Sequence, residues 1–442
     1  MSNAITTIVA IATPMGRGGI GIIRLSGKQA LSVAKTLSHK ENFQARSPQL
    51  CTWKDAAGEL IDSGLVLYFP APASYTGEDV VELQGHGSPV LLHALLRRCI
   101  DLGCMMAEPG AFTRRAVENG CMDLSQAEAV IACIDATTER AGKQAQKHLA
   151  GDFGRKIESL MHSLTGVLAH VEACLDFPEE EIPELFLTQL RDRLDKKLCQ
   201  PMQSMLAAST FGERLFSGAS VAIVGAPNVG KSSVLNLLAG RNRAIVSDIP
   251  GTTRDILEVD FEVHGIPIRL IDTAGLRDSS DIIEQEGMRR AKQAASVADV
   301  VVFLADVLRE DTWAYDGHYD IGVLNKCDLL EEPLHTTPEN TLLLSAHTGE
   351  GLNNLLDALA KILGEKVTDG EDVFVTHERH RIAIQEAEKH IQIAMPMLLK
   401  EEMLDLAALE LRSAWSALGE IIGIGDVEYI LDRIFSEFCI GK

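Results

Sequence analysis

The sequence lacks the features of a membrane protein or of a disulfide-stabilised one. No apolar run reaches the roughly 18 residues that a membrane span needs, and residues 1–4 lack the basic and apolar blocks of a signal peptide. The nine cysteines are an odd number with no Cys-x-x-Cys pair, so neither a disulfide framework nor a zinc site is indicated. We therefore expect a cytoplasmic protein that does not contact a membrane.

Positive charge is also scarce. The 442 residues carry 41 Lys and Arg against 63 Asp and Glu, which gives a formal net charge of −22. Such a chain repels phosphate unless its basic residues are gathered on one face, so any RNA contact must be local. Three basic clusters are candidates, although each is also typical of a solvated helix face: Arg97–Arg98, Arg114–Arg115 and Arg379–Arg381.

The chain does contain a phosphate-binding loop at its centre. Residues 225–233 read Gly-Ala-Pro-Asn-Val-Gly-Lys-Ser-Ser, between the strand-like run Val221–Val224 and the helix-like stretch Val234–Ala239. Backbone N–H groups of such a loop hold a β-phosphate, Lys231 can reach the β- and γ-phosphates, and Ser232 can ligate Mg²⁺. The other nucleotide-binding positions predicted in this loop are Asn228, Val229, Gly230 and Ser233.

Further motifs follow in a fixed order and identify the nucleotide. They are Thr252-Thr253, Asp272-Thr273-Ala274-Gly275, Asn325-Lys326-Cys327-Asp328 and Ser345-Ala346. Thr253 is predicted to ligate Mg²⁺ from a switch segment, and Asp272 to lie beside the water shell of that ion. The Asp328 carboxylate only accepts hydrogen bonds, so it suits the ring N–H and amine of guanine and is mismatched to adenine. The sequence therefore predicts a GTP site.

The residue that orients the attacking water is less evident. Ras-like GTPases have Gln just after the Asp-x-x-Gly turn, and this chain has Leu276, which cannot do so. Glu284, a few residues on, is a candidate base or water-positioning residue. A solvated acidic loop is an equally good reading of that segment from residue type alone.

Hydrophobic periodicity predicts three domains. Short apolar strands at 5–12, 20–25 and 65–69 and a helical block at 89–102 indicate an α+β N-terminal domain, 1–118. Helical patterns begin at a predicted capping box, Ser125–Glu128, and return near the C-terminus. The fold class is then an α+β domain, an all-α helical domain discontinuous in sequence, 119–216 and 367–442, and an inserted α/β P-loop (Ras-like) GTPase domain, 217–366. Two separate helical bundles are the alternative.

Signature segments along the whole chain resemble one family. Besides the GTPase motifs they are Thr7–Ala10, Ala12–Pro14, Gly16–Gly19, Tyr75–Asp79, Glu82–Gly87, Asp123–Ala129, Asp176–Pro178 and Phe438–Lys442. Together, and in this order, they closely resemble the MnmE (TrmE) family of tRNA-modification GTPases. The GTPase motifs fit many GTPases, whereas the N- and C-terminal signatures are specific to this family.

The resemblance implies a function and its partners. The N-terminal domain is expected to bind a tetrahydrofolate derivative, 5-formyl- or 5,10-methylene-tetrahydrofolate, and to form a homodimer. With the flavoprotein MnmG, the family adds an aminomethyl or carboxymethylaminomethyl group at C5 of the wobble uridine of certain tRNAs, using a one-carbon unit from the folate. GTP hydrolysis drives conformational change in that complex, and K⁺ lies where two GTPase domains pair.

The resemblance also assigns residues. K⁺ would contact the Asn228 side chain and main-chain oxygens near Ser247, Ile249 and Thr252, while Glu284 falls on the family's catalytic glutamate. Arg24, Glu82 and Lys442 match the family's folate site. Cys121 stands where the family usually has lysine, so a weakened folate contact is expected. Cys439 is either a nucleophile or a packed structural thiol.

Two other functions compete with this one. A regulatory or ribosome-assembly GTPase without modification chemistry would carry the same GTPase motifs, but such proteins usually have a basic RNA-binding appendage that this acidic chain lacks. A pure folate-binding or one-carbon-transfer protein would not need the GTPase motifs.

Overall fold

The computed structural model describes residues 6–177, 183–241, 261–271, 295–332, 341–364, 375–425, 428–436, 438 and 440–441. These residues fall into two compact units. The first holds 6–131 together with the residues from 422 onwards, and the second holds the described residues of 132–421. No helix in these ranges has both the length and the apolar character that crossing a membrane requires.

The strands are, in chain order, β1 (Ile8–Ile11), β2 (Gly18–Ser26), β3 (Gln49–Lys54), β4 (Leu60–Phe69), β5 (Val80–Gly87), β6 (Met105–Met106), β7 (Ala219–Val224), β8 (Phe261–Val263), β9 (Ile266–Ile271), β10 (Val300–Asp306), β11 (Ile321–Asn325) and β12 (Thr341–Leu344). The helices are α1 (Ala30–Ser38), α2 (Pro89–Asp101), α3 (Ala111–Glu118), α4 (Leu124–Asp135), α5 (Glu139–Leu149), α6 (Asp152–Asp176), α7 (Glu184–Leu194), α8 (Gln200–Ala207), α9 (Ser209–Ser217), α10 (Lys231–Arg241), α11 (Leu352–Ile362), α12 (Glu378–Met397), α13 (Leu404–Ile422) and α14 (Glu428–Ser436).

The first unit is built on a sheet with the order β3-β4-β5-β2-β1-β6, antiparallel except where β6 joins β1. Because side chains alternate along β2, Ile23 and Leu25 point to the same face of the sheet. There they pack in a core with Trp53 and the inner faces of α1 and α2. Arg24 lies between Ile23 and Leu25 and therefore belongs to the opposite face of the sheet. The α+β fold expected for the N-terminal domain is confirmed.

The second unit contains a sheet with the order β12-β11-β10-β7-β9-β8, in which only β8 is antiparallel to its neighbour. Val300–Asp306 and Ile321–Asn325 are buried throughout, as strands covered on both faces must be. Parallel strands place their carboxyl ends at one edge, where ligands of α/β folds bind. The predicted α/β GTPase fold is confirmed.

Helices from both sides of the GTPase segment pack together in the second unit. The Trp415 indole on α13 donates to Thr165 Oγ1 on α6 at 3.2 Å, and Arg412 Nη2 lies 2.7 Å from Glu172 Oε1. Arg381 on α12 pairs with Glu213 on α9 at 2.9 Å. The helical domain is therefore discontinuous in sequence, as predicted, and two separate bundles are excluded by these contacts.

One local prediction is wrong. The start of α4 is capped by Asp123, whose Oδ1 accepts from the Gln126 N–H at 2.8 Å while Gln126 Oε1 accepts from the Asp123 N–H at 2.9 Å. This reciprocal pair is a capping box two residues earlier than the predicted Ser125–Glu128. Asp123 replaces Ser125 because its carboxylate is the stronger acceptor and also accepts from the Ser125 hydroxyl.

The C-terminal residues pack within the first unit. Phe435 on α14 is buried, and a Cβ added to Gly110 would lie 2.8 Å from its ring. Arg114 on α3 forms an ion pair with Asp432 on α14 at 2.8 Å. The domain boundaries at 118, 216 and 366 remain predictions.

Candidate functional site

The phosphate-binding loop leaves β7 and enters α10 through two glycines that no other residue could replace. Gly225 has a φ of 151°, and a Cβ there would lie 2.0 Å from the Leu304 carbonyl oxygen. Gly230 has a φ of 100°, and a Cβ added there would lie 2.3 Å from Asn325 Nδ2. Both conformations are open to glycine at little cost. The glycines let the loop lie directly against β10 and β11.

Lys231 begins α10 and closes the loop. Its Nζ donates to the carbonyl oxygens of Gly225 and Ala226, both at 2.8 Å. Burial lowers the pKa of Lys231, so a phosphate nearby would stabilise its charged form. Ser232 and Ser233 follow in the first turn of α10 and are exposed, at a helix end that favours anions. The arrangement fits a nucleotide phosphate and a Mg²⁺ ion on Ser232.

Asn325 joins three segments that the sequence predicted to form one site. Its Nδ2 donates to the Val229 carbonyl at 2.9 Å, and its Oδ1 accepts from the Ala346 N–H at 3.0 Å. Lys326 Nζ donates to the carbonyl of Asn228 at 3.2 Å. The phosphate loop, the Asn325–Asp328 segment and Ser345-Ala346 therefore meet at one edge of the sheet.

Asp328 is oriented for recognition of a base. One carboxylate oxygen accepts from Ser345 Oγ at 2.5 Å, and Ser345 Oγ accepts in turn from the Thr348 N–H at 3.0 Å. Asp328 is exposed, so its second oxygen is open to a ligand. A carboxylate held in this way can accept two N–H groups side by side, which is the pattern that guanine presents.

Asp306, at the end of β10, is a site residue that the sequence analysis missed. Its Oδ2 lies 2.6 Å from Lys326 Nζ, and it is 6% exposed. Burial raises the pKa of Asp306, but the hydrogen bonds from Lys326 and from the Leu308 N–H outweigh it, so the pKa lies below its usual value. An acidic residue at the carboxyl end of a buried strand was the available signal.

Several predicted site residues lie outside the described residues: Ser247, Ile249, Thr252, Thr253, Asp272, Thr273, Ala274, Gly275, Leu276, Glu284, Cys439 and Lys442. Their roles therefore remain predictions. Of the predicted K⁺ contacts, Asn228 is described. It is exposed and has a φ of 63°.

A second cluster lies on the sheet of the first unit. Arg24 on β2 and Glu82 on β5 are register partners, and Arg24 donates to Glu82 Oε1 from Nη2 at 2.9 Å and from Nε at 3.1 Å. Gln84 Nε2 donates to the other oxygen of Glu82 at 3.2 Å. The pair is mostly buried, with exposed side-chain fractions of 18% and 15%. Two residues predicted to bind folate are thus in contact.

The C-terminal segment reaches this cluster. Arg24 Nη1 lies 3.4 Å from the carbonyl oxygen of Gly441. Gly441 has a φ of 99°, and a Cβ there would lie 2.3 Å from the Ile11 carbonyl oxygen. The Arg24 guanidinium also lies over the rings of Tyr75 and Phe112, at 5.5 and 5.8 Å. Gly441 therefore places the chain directly before Lys442 at the Arg24–Glu82 pair.

Cys121, the remaining described residue of the predicted folate site, belongs to the same unit. It is exposed, and its Sγ would be 2.9 Å from a Cβ added to Gly77. The neighbouring Asn119 donates to the Thr76 carbonyl at 2.7 Å. In the described part of the chain, no hydrogen bond joins Cys121 to the Arg24–Glu82 pair.

Comparison with known proteins covers the whole chain. A family model described as the GTP-binding protein TrmE N-terminus matches residues 7–121, and the MnmE helical domain model matches residues 124–439. A tRNA modification GTPase MnmE of Dichelobacter nodosus is 44% identical over 99% of both chains. Proteins of the same name from Neisseria meningitidis serogroup C (strain 053442) and Xanthomonas campestris pv. campestris (strain B100) are 43% identical over 100% of both chains. The chain belongs to the MnmE family of tRNA modification GTPases.

Proposed function

We propose that this chain is a GTP-hydrolysing enzyme of tRNA modification that acts at C5 of the wobble uridine together with a flavin-dependent partner. The observation that carries the proposal is the hydrogen bonding of Asn325 and Lys326 to the phosphate loop, in a chain similar along its length to relatives named tRNA modification GTPase MnmE. These hydrogen bonds connect the segment proposed to bind the base, Asn325–Asp328, with the loop proposed to bind the phosphates.

GTP would be held at both ends. Lys231 and the N–H groups at the start of α10 face the phosphates, and Asp328 accepts the guanine N–H groups. Lys326, held by Asp306 and by the Asn228 carbonyl, would lie between the phosphate loop and the base bound by Asp328. Ser232 and Thr253 would hold a Mg²⁺ ion, which would neutralise charge at the phosphates.

Hydrolysis is assigned to Glu284 and K⁺ on the strength of the family resemblance. Asn228, with main-chain oxygens near Ser247, Ile249 and Thr252, would hold K⁺ close to the γ-phosphate, where a fixed cation stabilises developing charge. Turnover should then be much faster in K⁺ than in Na⁺ at equal ionic strength. Equal rates in the two salts would remove K⁺ from the mechanism.

The Arg24–Glu82 pair is the proposed folate site. A carboxylate can accept N–H groups of a pterin ring, and a guanidinium and Lys442 can bind carboxylates of the folate tail. Glu82 keeps acceptor capacity beyond its bonds to Arg24 and Gln84, because an ionised carboxylate offers about four lone-pair sites. The polar pair therefore fits a tetrahydrofolate derivative. We also propose that the chain forms a homodimer and assembles with the flavoprotein MnmG.

The experiment that tests this function is mass spectrometry of wobble uridines in tRNA from cells that lack the gene. The proposal predicts loss of the C5 substituent and its return on complementation. Normal uridines accompanied by a defect in ribosome assembly would instead favour a regulatory GTPase without modification chemistry.

A further inference from the structure

Two of the three basic clusters in the sequence are engaged within the structure. Arg115 donates to Glu78 and to the Thr6 carbonyl, both at 2.8 Å, and Arg114 pairs with Glu118 and Asp432. In the Arg379–Arg381 cluster, Arg379 donates to the Glu420 carbonyl and Arg381 forms an ion pair with Glu213. The arginines of these two clusters therefore stabilise the fold. Arg97–Arg98 is the basic cluster for which the contacts within the fold give no such role.

Charge is unevenly divided along the chain. Residues 1–118 hold 11 Lys and Arg and 10 Asp and Glu, whereas the whole chain holds 41 and 63. Several acidic residues of this region are also neutralised or bonded internally, among them Asp62 with His86, Glu78 with Arg115 and Glu82 with Arg24. The N-terminal region is therefore the part of this acidic protein that repels a polyanion least.

Four cations of this region lie on or next to its two outer helices, whereas the exposed Arg17 and Lys54 lie elsewhere. Along α1 and the residues next to it, one stripe of exposed or half-exposed positions contains no carboxylate: Lys28, Ser32, Lys35, Thr36 and His39. On α2 the corresponding outward positions include the exposed Arg97, the half-exposed Arg98 and, one turn after Arg97, the exposed Asp101. Within the described ranges, none of the ion pairs contains Lys28, Lys35, Arg97 or Arg98, and Arg98 Nε is buried without a hydrogen-bond partner.

The two helices form one layer. Leu37 of α1 and Cys99 of α2 belong to the same core cluster on one face of the sheet. A Cβ added to Gly103, just after α2, would lie 3.8 Å from Gln29 Oε1, just before α1. The end of α2 that carries Arg97 and Arg98 is thus next to the start of α1, where Lys28 lies.

We propose that this basic face, defined as Lys28, Lys35, Arg97 and Arg98, binds the phosphate backbone of tRNA. The inference rests on the proposed function for the identity of the RNA. Lysine and arginine side chains neutralise the charge of backbone phosphates. Because Arg24 lies on the opposite face of the sheet, the basic face binds the body of the RNA and leaves the Arg24–Glu82 cluster free.

Helix stabilisation does not account for the whole face. Lys35 and Arg98 lie in the last turns of α1 and α2, where cations interact favourably with the helix dipole. Lys28 precedes α1, where that interaction would be unfavourable, and Arg97 is exposed on the outer side of α2. A binding role explains all four.

The test compares two triple variants of the full-length protein. Lys28→Gln/Lys35→Gln/Arg97→Gln removes three charges from the basic face. Lys143→Gln/Lys361→Gln/Lys389→Gln removes three exposed charges from the second unit and changes the net charge equally. Binding of an in vitro transcribed tRNA is measured by fluorescence anisotropy over a range of salt concentrations, and GTP hydrolysis reports on folding.

We expect the first variant to bind tRNA about 10- to 100-fold more weakly at low salt, with a salt slope reduced by about two to three, while the second binds as wild type does. GTP hydrolysis should be normal in both. Equal tRNA binding by both variants overturns the basic face but leaves the proposed function standing, since that depends on the wobble uridines in cells lacking the gene. Loss of binding to phosphatidylglycerol vesicles, with tRNA binding unchanged, would reassign the face to a membrane surface.

Discussion

A single buried carboxylate, Asp306, holds the lysine that follows Asn325. Lys326 has a φ of 70°, a conformation that is uncommon for residues other than glycine, and its Nζ is fixed between Asp306 and the Asn228 carbonyl. The Trp313 indole donates to the Asp306 carbonyl at 2.8 Å and holds the end of β10 in place. These contacts orient Lys326 before any nucleotide arrives.

Replacing Asp306 with asparagine should therefore weaken nucleotide binding. Asp306→Asn removes a charge-assisted hydrogen bond worth about 1.5–3 kcal/mol, so the Kd for GDP should rise about 10-fold or more. Titration with a fluorescent nucleotide measures it. Asp311→Asn, at an exposed carboxylate paired with Arg309, is the control and should leave the Kd unchanged. An unchanged Kd in Asp306→Asn would show that Lys326 does not need this partner.

Asp328 should decide which base is bound. Asp328→Asn replaces one acceptor oxygen with a donor amide, so GTP binding should weaken, whereas xanthosine triphosphate, which has a carbonyl in place of the guanine amine, should bind better. Hydrolysis rates with the two nucleotides give the comparison. If the variant hydrolyses GTP with an unchanged KM, Asp328 does not contact the base.

At the scale of elements, the phosphate loop depends on how closely it approaches β11. Gly230→Ala would place a methyl group against Asn325 Nδ2 at a φ of 100°, so the hydrogen bond from Asn325 to Val229 should break. We expect loss of measurable GTP binding. Gly240→Ala is the matched control, since a Cβ there meets no atom within 4 Å and alanine stabilises a helix interior by about 0.5–1 kcal/mol. Calorimetry with GDP should distinguish them, and normal binding by Gly230→Ala would contradict this account of the loop.

The turn between β8 and β9 is attached to α5 by contacts between residues 124 and 127 positions apart in sequence. The Thr138 hydroxyl donates to the Gly265 carbonyl at 2.7 Å and accepts from the Ala141 N–H, and Arg140 donates to the His264 carbonyl at 2.8 Å. The strand β9 leads directly into Asp272-Thr273-Ala274-Gly275. The helical domain is therefore hydrogen-bonded to the turn that begins β9, and β9 directly precedes a predicted switch segment.

Thr138→Val should destabilise this joint. The buried Gly265 carbonyl would lose its donor and α5 its N-cap, at a cost of about 1–3 kcal/mol. Thermal unfolding should detect the loss as a lower midpoint. Thr36→Val is the control, because the Thr36 hydroxyl is exposed and bonds only within α1. Equal midpoints for the two variants would mean that the Thr138 contact contributes little.

The elements that could be predicted from sequence were those with a strong local pattern. The apolar runs of β7 and β11 and the Gly-x-x-x-x-Gly-Lys-Ser loop defined the nucleotide site, because buried parallel strands need apolar residues and the loop needs glycine. Asp306 was missed because its partner, Lys326, is brought near by the pairing of β10 with β11. The Asp123 cap was missed because two overlapping patterns fit and only the backbone decides between them.

At the scale of the whole molecule, we propose separate chemistries for the N-terminal unit and the GTPase sheet. The folate assignment can be tested on the residue that departs from the family. Cys121→Lys should tighten binding of 5-formyltetrahydrofolate by the value of one charge-assisted contact, about 1.5–3 kcal/mol, measured by calorimetry. No binding by either protein would remove the folate role. Unchanged affinity would mean that another residue already takes the place of the lysine.

The central claim is that GTP bound at the phosphate loop is needed for tRNA modification. Cells lacking the gene are complemented with the wild type, with Lys231→Ala, or with Lys361→Ala, which alters an exposed lysine on α11. At equal protein levels, mass spectrometry should show modified wobble uridines with the wild type and Lys361→Ala and unmodified ones with Lys231→Ala. Full modification supported by Lys231→Ala would contradict the account.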